Sequence, residues 1–218
     1  MPIPGIVASS VVTAVCTNVL QEPFNNFTDA PWNPTVGPAT ISASGRTGTA
    51  CQCTGTIARA EYNLNNSGSA NATVTVGFAW RTNTTSTTAR RVCELWSDSN
   101  SIENIRLVYN GTTARSFSVV RAPSTTLGTT ATGLVPVNTW AYIELQVYLH
   151  DTAGTVILKV DGTERLNLTG QDTRTSTVGT VVDSLRLTTA VSGHTNLWDD
   201  LYLSAGSGCT FQGDHTIT

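Results

Sequence analysis

The chain has 218 residues, a formal net charge of −3 and 12% charged residues, about half the usual charged share. The net charge argues against a nucleic-acid partner, because neutralising phosphate needs a basic patch, and no apolar run is long enough to span a membrane. Thr, Ser, Asn and Gly take the place of charges, giving a surface wetted by neutral hydrogen-bonding groups and held extended by β-branched Thr.

The N-terminus, MPIPGIVASSVVTAV, lacks the basic region of a secretion signal. Pro2 and Pro4 block helix, so residues 1–20 read as an extended arm. Ile3, Pro4, Ile6, Val7, Val11, Val12 and Val15 are its candidate anchoring residues, of the kind that order when a segment docks on a partner. Residues 21–218 read as one all-β domain, an antiparallel sandwich of two sheets. Its strand candidates are 24–28, 39–43, 47–53, 56–62, 74–80, 91–96, 105–109, 116–121, 140–149, 155–160, 165–168, 184–188 and 197–204. Asn110-Gly111, Ala153-Gly154, Asp161-Gly162 and Ser192-Gly193 supply turn chemistry, and Asn-Gly and Asp-Gly close tight hairpins.

Cys51 and Cys53 point the same way if extended. They do not form CxxC and no second Cys or His pair follows, which argues against zinc. The five cysteines, Cys16, Cys51, Cys53, Cys93 and Cys209, read as small buried apolar groups. The alternative is a set of disulfides, with Cys16 joined to Cys51 or Cys53 and Cys209 tying down the tail. Segment 74–80, VTVGFAW, alternates Val74, Val76, Phe78 and Trp80 against smaller residues and predicts a central strand. Burying those four side chains contributes about 6–12 kcal/mol. The Thr-rich stretches 82–90 and 122–133 read as loops at a rim, where specificity resides.

Along 140–150, Ala141, Ile143, Leu145, Val147 and Leu149 form a core face. Trp140, Tyr142, Glu144, Gln146, Tyr148 and His150 form the other. Aromatic rings beside a carboxylate and an amide make this a candidate glycan-binding face. The alternative is that the second sheet or the arm covers it and only its rim is wet. Asp199 and Asp200 are weak calcium candidates, with Asn25, Asn26 and Asp29 as further oxygen donors. The alternative gives one Asp a backbone-bonding role and leaves the other solvated. His150, His194 and His215 each stand alone, there is no nucleophile elbow or phosphate-binding glycine loop, and no cofactor is expected.

The motifs FNNFTDAPW, VTVGFAWR, W-x-Y-I-E-L-Q-V-x-L-H-D-x-x-G-T-V-x-L-K-V-D-G, LWDDLYL and Gly213-Asp214 together resemble the concanavalin A-like (laminin-G-like) jelly-roll domains found in tailed-bacteriophage virion proteins. The resemblance covers 24–214. It implies a jelly roll with a glucanase-like or lectin-like frame and a place in the virion. In such domains Trp140 opens a long strand, Asp161-Gly162 turns a hairpin and Asp199-Asp200 lies on the closing strand. Catalytic versions of the fold carry E-x-D-x-x-E on one strand. That spacing is absent here: Glu94 and Asp98 are four apart, Glu103 lies five further on, and Glu144 has no carboxylate nearby.

The expectation is therefore a non-enzymatic virion protein, a capsid decoration or tail component. It would be held by its arm and packed in many copies in symmetric contact with other virion proteins. A carbohydrate-binding module for a host surface glycan is the second reading, and a polysaccharide depolymerase the third.

Overall fold

In a computed structural model the described residues are 15–25, 32–33, 39–56, 58–65, 68–83, 85–99, 101–189, 191–214 and 216–217. In chain order the strands begin with β1 (Thr17–Glu22), β2 (Trp32–Asn33), β3 (Ala39–Ser42), β4 (Ala50–Gly55) and β5 (Arg59–Asn63). Then come β6 (Thr73–Thr82), β7 (Arg90–Ser97), β8 (Ile102–Tyr109), the helical turn α1 (Gly111–Ala114), β9 (Phe117–Arg121) and β10 (Thr125–Thr129). The chain closes with β11 (Ala141–Tyr148), β12 (Gly154–Val160), β13 (Thr163–Gln171), β14 (Ser184–Thr188) and β15 (Val191–Ala205).

The strands form two antiparallel sheets, the jelly-roll-like sandwich that the sequence predicts. One sheet runs β13-β12-β11-β6-β15-β4-β3, with β1 added on β15. Residues 191–198 of β15 pair with β4, and residues 201–205 pair with β1. The other sheet runs β10-β9-β8-β7-β14-β5-β2.

Period-two alternation decides what lies between the layers. The larger sheet turns Val74, Val76, Phe78, Trp80, Ile143, Leu145, Val147, Val156 and Leu158 inward, and all are fully buried. The smaller sheet answers with Leu95, Ile105, Leu107, Tyr109, Phe117, Val119, Leu185 and Leu187. Trp80 joins the layers, its ring centroid 5.1 Å from Tyr109 and 5.7 Å from Phe117. The central place predicted for 74–80 is observed: β6 sits between β11 and β15.

Several local expectations change. Asp161 and Gly162, at φ 50 and 71, form the tight hairpin turn predicted for them. Asn110-Gly111 does not, because such a turn needs positive φ at both central residues and Asn110 lies at −85. The Thr-rich stretch 122–133 contains edge strand β10, which pairs with β9. Residues 17–20, read with the arm, belong to β1. Of the arm's candidate anchors, Ile3, Pro4, Ile6, Val7, Val11 and Val12 lie outside the described residues, and Val15 is exposed. Cys51, Cys53 and Cys93 are buried thiols, whereas Cys16 pairs with Cys209 rather than with Cys51 or Cys53.

Candidate functional site

The outer face of the seven-stranded sheet carries a row of charges that crosses four strands. Glu61 on β5 stands opposite Arg186 on β14, Arg186 opposite Glu94 on β7, and Glu94 opposite Arg106 on β8. Opposite charges directly across an antiparallel pair attract, and this row alternates in sign. Arg186 Nε donates to Glu61 Oε2 at 2.7 Å, in a pair almost sealed from solvent. The Arg186 guanidinium also stacks 3.7 Å from the centroid of the Trp96 ring. Trp96 Nε1 donates to Glu94 Oε2 at 2.8 Å, while Arg91 Nη1 donates to Glu94 Oε1 at 2.6 Å.

Two β-bulges bring further residues to this face. Between β7 and β8 the register skips Val92 on one strand and Asn104 on the other. A bulge shifts every later side chain to the opposite side. Residues three apart therefore share a face twice over: Arg91 with Glu94, and Glu103 with Arg106. Arg106 Nε lies 2.5 Å from Glu103 Oε1. Arg91 Nη1 reaches Glu103 Oε2 at 3.6 Å as well as Glu94 at 2.6 Å. Glu94 Oε1 and Glu103 Oε2 thus lie no more than about 6 Å apart, around one arginine nitrogen.

Glu103 and Arg106 line a cavity of about 330 Å³ together with Trp96, Ser101, Thr175 and Ser176 and an apolar wall of Ile102, Ala122 and Pro123. Asn104, the extra residue of the second bulge, is buried and fastens those walls. Its Nδ2 donates to Ser97 Oγ at 2.6 Å, its Oδ1 accepts the Thr175 N–H at 2.9 Å, and its carbonyl accepts the Ala122 N–H at 3.0 Å. Burial, and then the charge of Glu94, hold the Glu103 carboxyl above the ordinary carboxylate range against the pull of Arg91 and Arg106. A raised carboxyl with a specific charge partner in a cleft makes Glu103 the candidate proton-transfer group of this face.

The face predicted from 140–150 is only partly open. Tyr142 and Glu144 are buried, a correction to their expected role as an open glycan platform. Among the described residues the cover is the chain's own C-terminal segment, not the second sheet. Glu144 Oε1 accepts the Tyr202 hydroxyl at 2.7 Å and the Gly213 N–H at 2.8 Å. The Tyr142 hydroxyl donates to the Asp200 carbonyl at 3.2 Å, and burial pushes the Tyr142 phenol far up. Trp140 packs beside this cluster, with Arg81 over its ring at 4.9 Å. Gln146, Tyr148 and His150 are half-buried, at the uncovered end of the face.

Asp199 and Asp200 bind protein groups. Asp199 Oδ2 accepts the backbone N–H of Arg46 at 2.6 Å and of Thr47 at 3.2 Å, and Asp199 Oδ1 that of Asp200 at 2.9 Å. Asp200 pairs with Arg46 Nε at 3.0 Å and accepts the Ile217 N–H at 2.8 Å. These oxygens hold the 44–49 turn and the C-terminal segment, which is the backbone-bonding role weighed for one Asp and extends to both. Asn25 is engaged by Thr49 at 3.2 Å, and Asn26 and Asp29 lie outside the described residues.

No family model matches the chain, and no curated protein matches it in sequence. Solved structures do share its fold. The conserved carbohydrate esterase vb_24B_21 from the Shiga toxin-encoding bacteriophage phi24B is similar at TM-score 0.58 and 16% identity, over 88% of this chain and 100% of that one. Alginate lyase Aly36B is similar at TM-score 0.54 and 9% identity, over 81% and 88%. The botulinum neurotoxin serotype G binding domain is similar at TM-score 0.54 and 7% identity, over 79% of this chain and 42% of that one. At these identities the likeness establishes the sandwich.

It also corrects the expectation of a non-enzymatic protein. That expectation rested on the missing E-x-D-x-x-E spacing. The same sandwich occurs in a lyase and an esterase that act on carbohydrates, and here two carboxylates converge without that spacing.

Proposed function

We propose that this chain is a carbohydrate-active protein of a bacteriophage particle, which lays a polysaccharide across the outer face of the seven-stranded sheet and cleaves it with Glu103 as general acid. The observation that carries the reading is the placement of Glu103. It lines the cavity beside the Trp96 ring, with its carboxyl raised above the ordinary carboxylate range by burial and by Glu94.

Trp96 supplies a flat apolar surface for a sugar ring. Its orientation is fixed by Glu94 on the indole N–H and by Arg186 beneath the ring. Ser101, Thr175 and Ser176 offer hydroxyls to the substrate. As the glycosidic C–O bond breaks, Glu103 passes its proton to the departing sugar oxygen. Arg106 and Arg91 then stand beside the carboxylate that forms. Solvent water bonds to the anomeric carbon, and the proton that this water loses restores the Glu103 carboxyl. Glu94, almost fully buried, acts through Glu103 and Trp96 as a positioning residue. The resemblance to phage virion domains and the sandwich shared with a phage carbohydrate esterase support the setting, with a host surface polysaccharide as substrate. Attachment to other virion proteins through Ile3–Val15 belongs to the same proposal.

The test is release of reducing ends from a panel of bacterial capsular and cell-wall polysaccharides. Cleavage by the wild-type chain that falls at least about 100-fold in Glu103→Gln, with the fold retained, is the expected result. Cleavage that survives this substitution, or none on any polysaccharide that the chain binds, overturns the assignment.

A further inference from the structure

The opposite sheet carries a second cavity, of about 370 Å³, lined by Thr73, Gln146, Tyr148, Thr155 and Ser207. We propose that it is a binding site for a neutral sugar, separate from the charged face and independent of the reading given for that face.

Its chemistry is the reverse of the first cavity's. No lining side chain is ionised, so a charged ligand would find no counter-charge. The walls are hydroxyls and an amide, so a purely apolar ligand would strip water from them without return. A neutral polyhydroxylated ring satisfies both conditions, with its faces against an aromatic and its hydroxyls against the rim.

The site is built before any ligand arrives. Gln146 Nε2 spends its hydrogens on Thr75 Oγ1 and on the Cys209 carbonyl, each at 2.9 Å. The amide is thereby fixed, and its Oε1 has no protein donor among the described residues. Tyr148 stands in the cavity wall with its ring centroid 5.7 Å from that of His150. His150 Nδ1 accepts the N–H groups of Thr152 and Ala153, at 3.1 and 2.9 Å, which leaves Nε2 to carry the proton as a donor. Ser207 is held from below by the Gly206 N–H on the Thr73 carbonyl at 2.9 Å and from the side by the Cys16–Cys209 bridge. Hydroxyls, an amide acceptor and an aromatic ring thus line one cavity, with His150 beside the ring, an arrangement formed before binding that lowers the ordering cost.

The experiment uses Glu103→Gln, so that turnover plays no part. Cello-, malto-, xylo- and N-acetylglucosamine oligosaccharides, and oligogalacturonate as the anionic control, are titrated against backbone amide NMR shifts. At least one neutral series should move Thr73, Gln146, Tyr148, Thr155 and Ser207 saturably, and oligogalacturonate should not. Tyr148→Ala should weaken that binding at least tenfold, while Trp96→Ala should not. Ser207→Trp fills the mouth from an exposed turn and should block binding even if Tyr148→Ala fails to fold. The proposal is overturned if no neutral series moves these amides, if the shifts fall on the seven-stranded sheet instead, or if Ser207→Trp binds like its parent. Loss of cleavage in Glu103→Gln has no bearing on any of these results.

Discussion

Glu94 and Glu103 meet at one nitrogen of Arg91, 2.6 and 3.6 Å away, from strands that each carry one extra residue. The negative charge of Glu94 helps to hold the Glu103 carboxyl above its ordinary value. Glu94→Gln should therefore lower the Glu103 titration midpoint, read by carboxyl-carbon NMR. The sign for stability follows by linkage. A carboxyl raised on folding favours the folded state below its unfolded value of 4.5, and that contribution is lost as pH rises through the folded value. Glu103→Gln mimics the protonated form and should flatten this decline in urea unfolding measured from pH 4 upward. An unchanged midpoint in Glu94→Gln would sever the coupling.

Arg186 is the nearest cation to the buried Glu61 and the slab beneath Trp96. Arg186→Met should destabilise the domain by about 3–5 kcal/mol, the cost of breaking a buried ion pair from one side. Arg59, 3.8 Å from Glu61, pulls the value toward the lower end. Arg186→Lys keeps the charge and loses the planar stack, so it should recover part of that stability while Trp96 fluorescence stays altered. Denaturant midpoints and emission spectra read both.

Gly77 lies under Tyr202: a Cβ there would stand 2.1 Å from Tyr202 Cε1. Gly77→Ala should push the ring away and break the hydrogen bond from Tyr202 to Glu144, at a cost of about 1–3 kcal/mol. A thermal midpoint and tyrosine near-ultraviolet dichroism that both match the wild type would refute this account of the glycine.

Asp199 gathers three backbone N–H groups, two of them from the 44–49 turn. Asp199→Ala leaves those donors without their acceptor and should cost about 1–3 kcal/mol. Hydrogen exchange at the amides of Arg46 and Thr47 should accelerate more than exchange in β6. Equal protection in both proteins would show that the turn is held by something else.

The sandwich was legible because its strands obey period two. Ile143, Leu145 and Val147, and likewise Val76, Phe78 and Trp80, announce their burial in the sequence. The charged face was not legible, for a definite reason. Strict alternation puts Arg91 and Glu94 on opposite sides, and Glu103 and Arg106 also. Each pair shares a face only because Val92 and Asn104 are extra residues in the ladder, and neither carries the Gly that would flag one form of bulge. Distance in sequence hid the rest: Glu61 and Arg186 are 125 residues apart, and only strand order makes them neighbours. On 140–150 the alternation matches the inward face of β11, but periodicity is silent about what lies on top of a face. The segment that covers Tyr142 and Glu144 is held by Arg46, Asp200 and backbone groups, none of which leaves a mark in local pattern.

The Cys16–Cys209 bridge joins positions 193 residues apart and so makes the domain nearly a closed ring. Such a link forms where thiols are oxidised and stays open where glutathione keeps them reduced. A freshly synthesised copy in a reducing cytoplasm would therefore carry residues 206–217 on noncovalent contacts alone. Oxidation closes the ring, and with it the wall formed by Ser207 gains a covalent support.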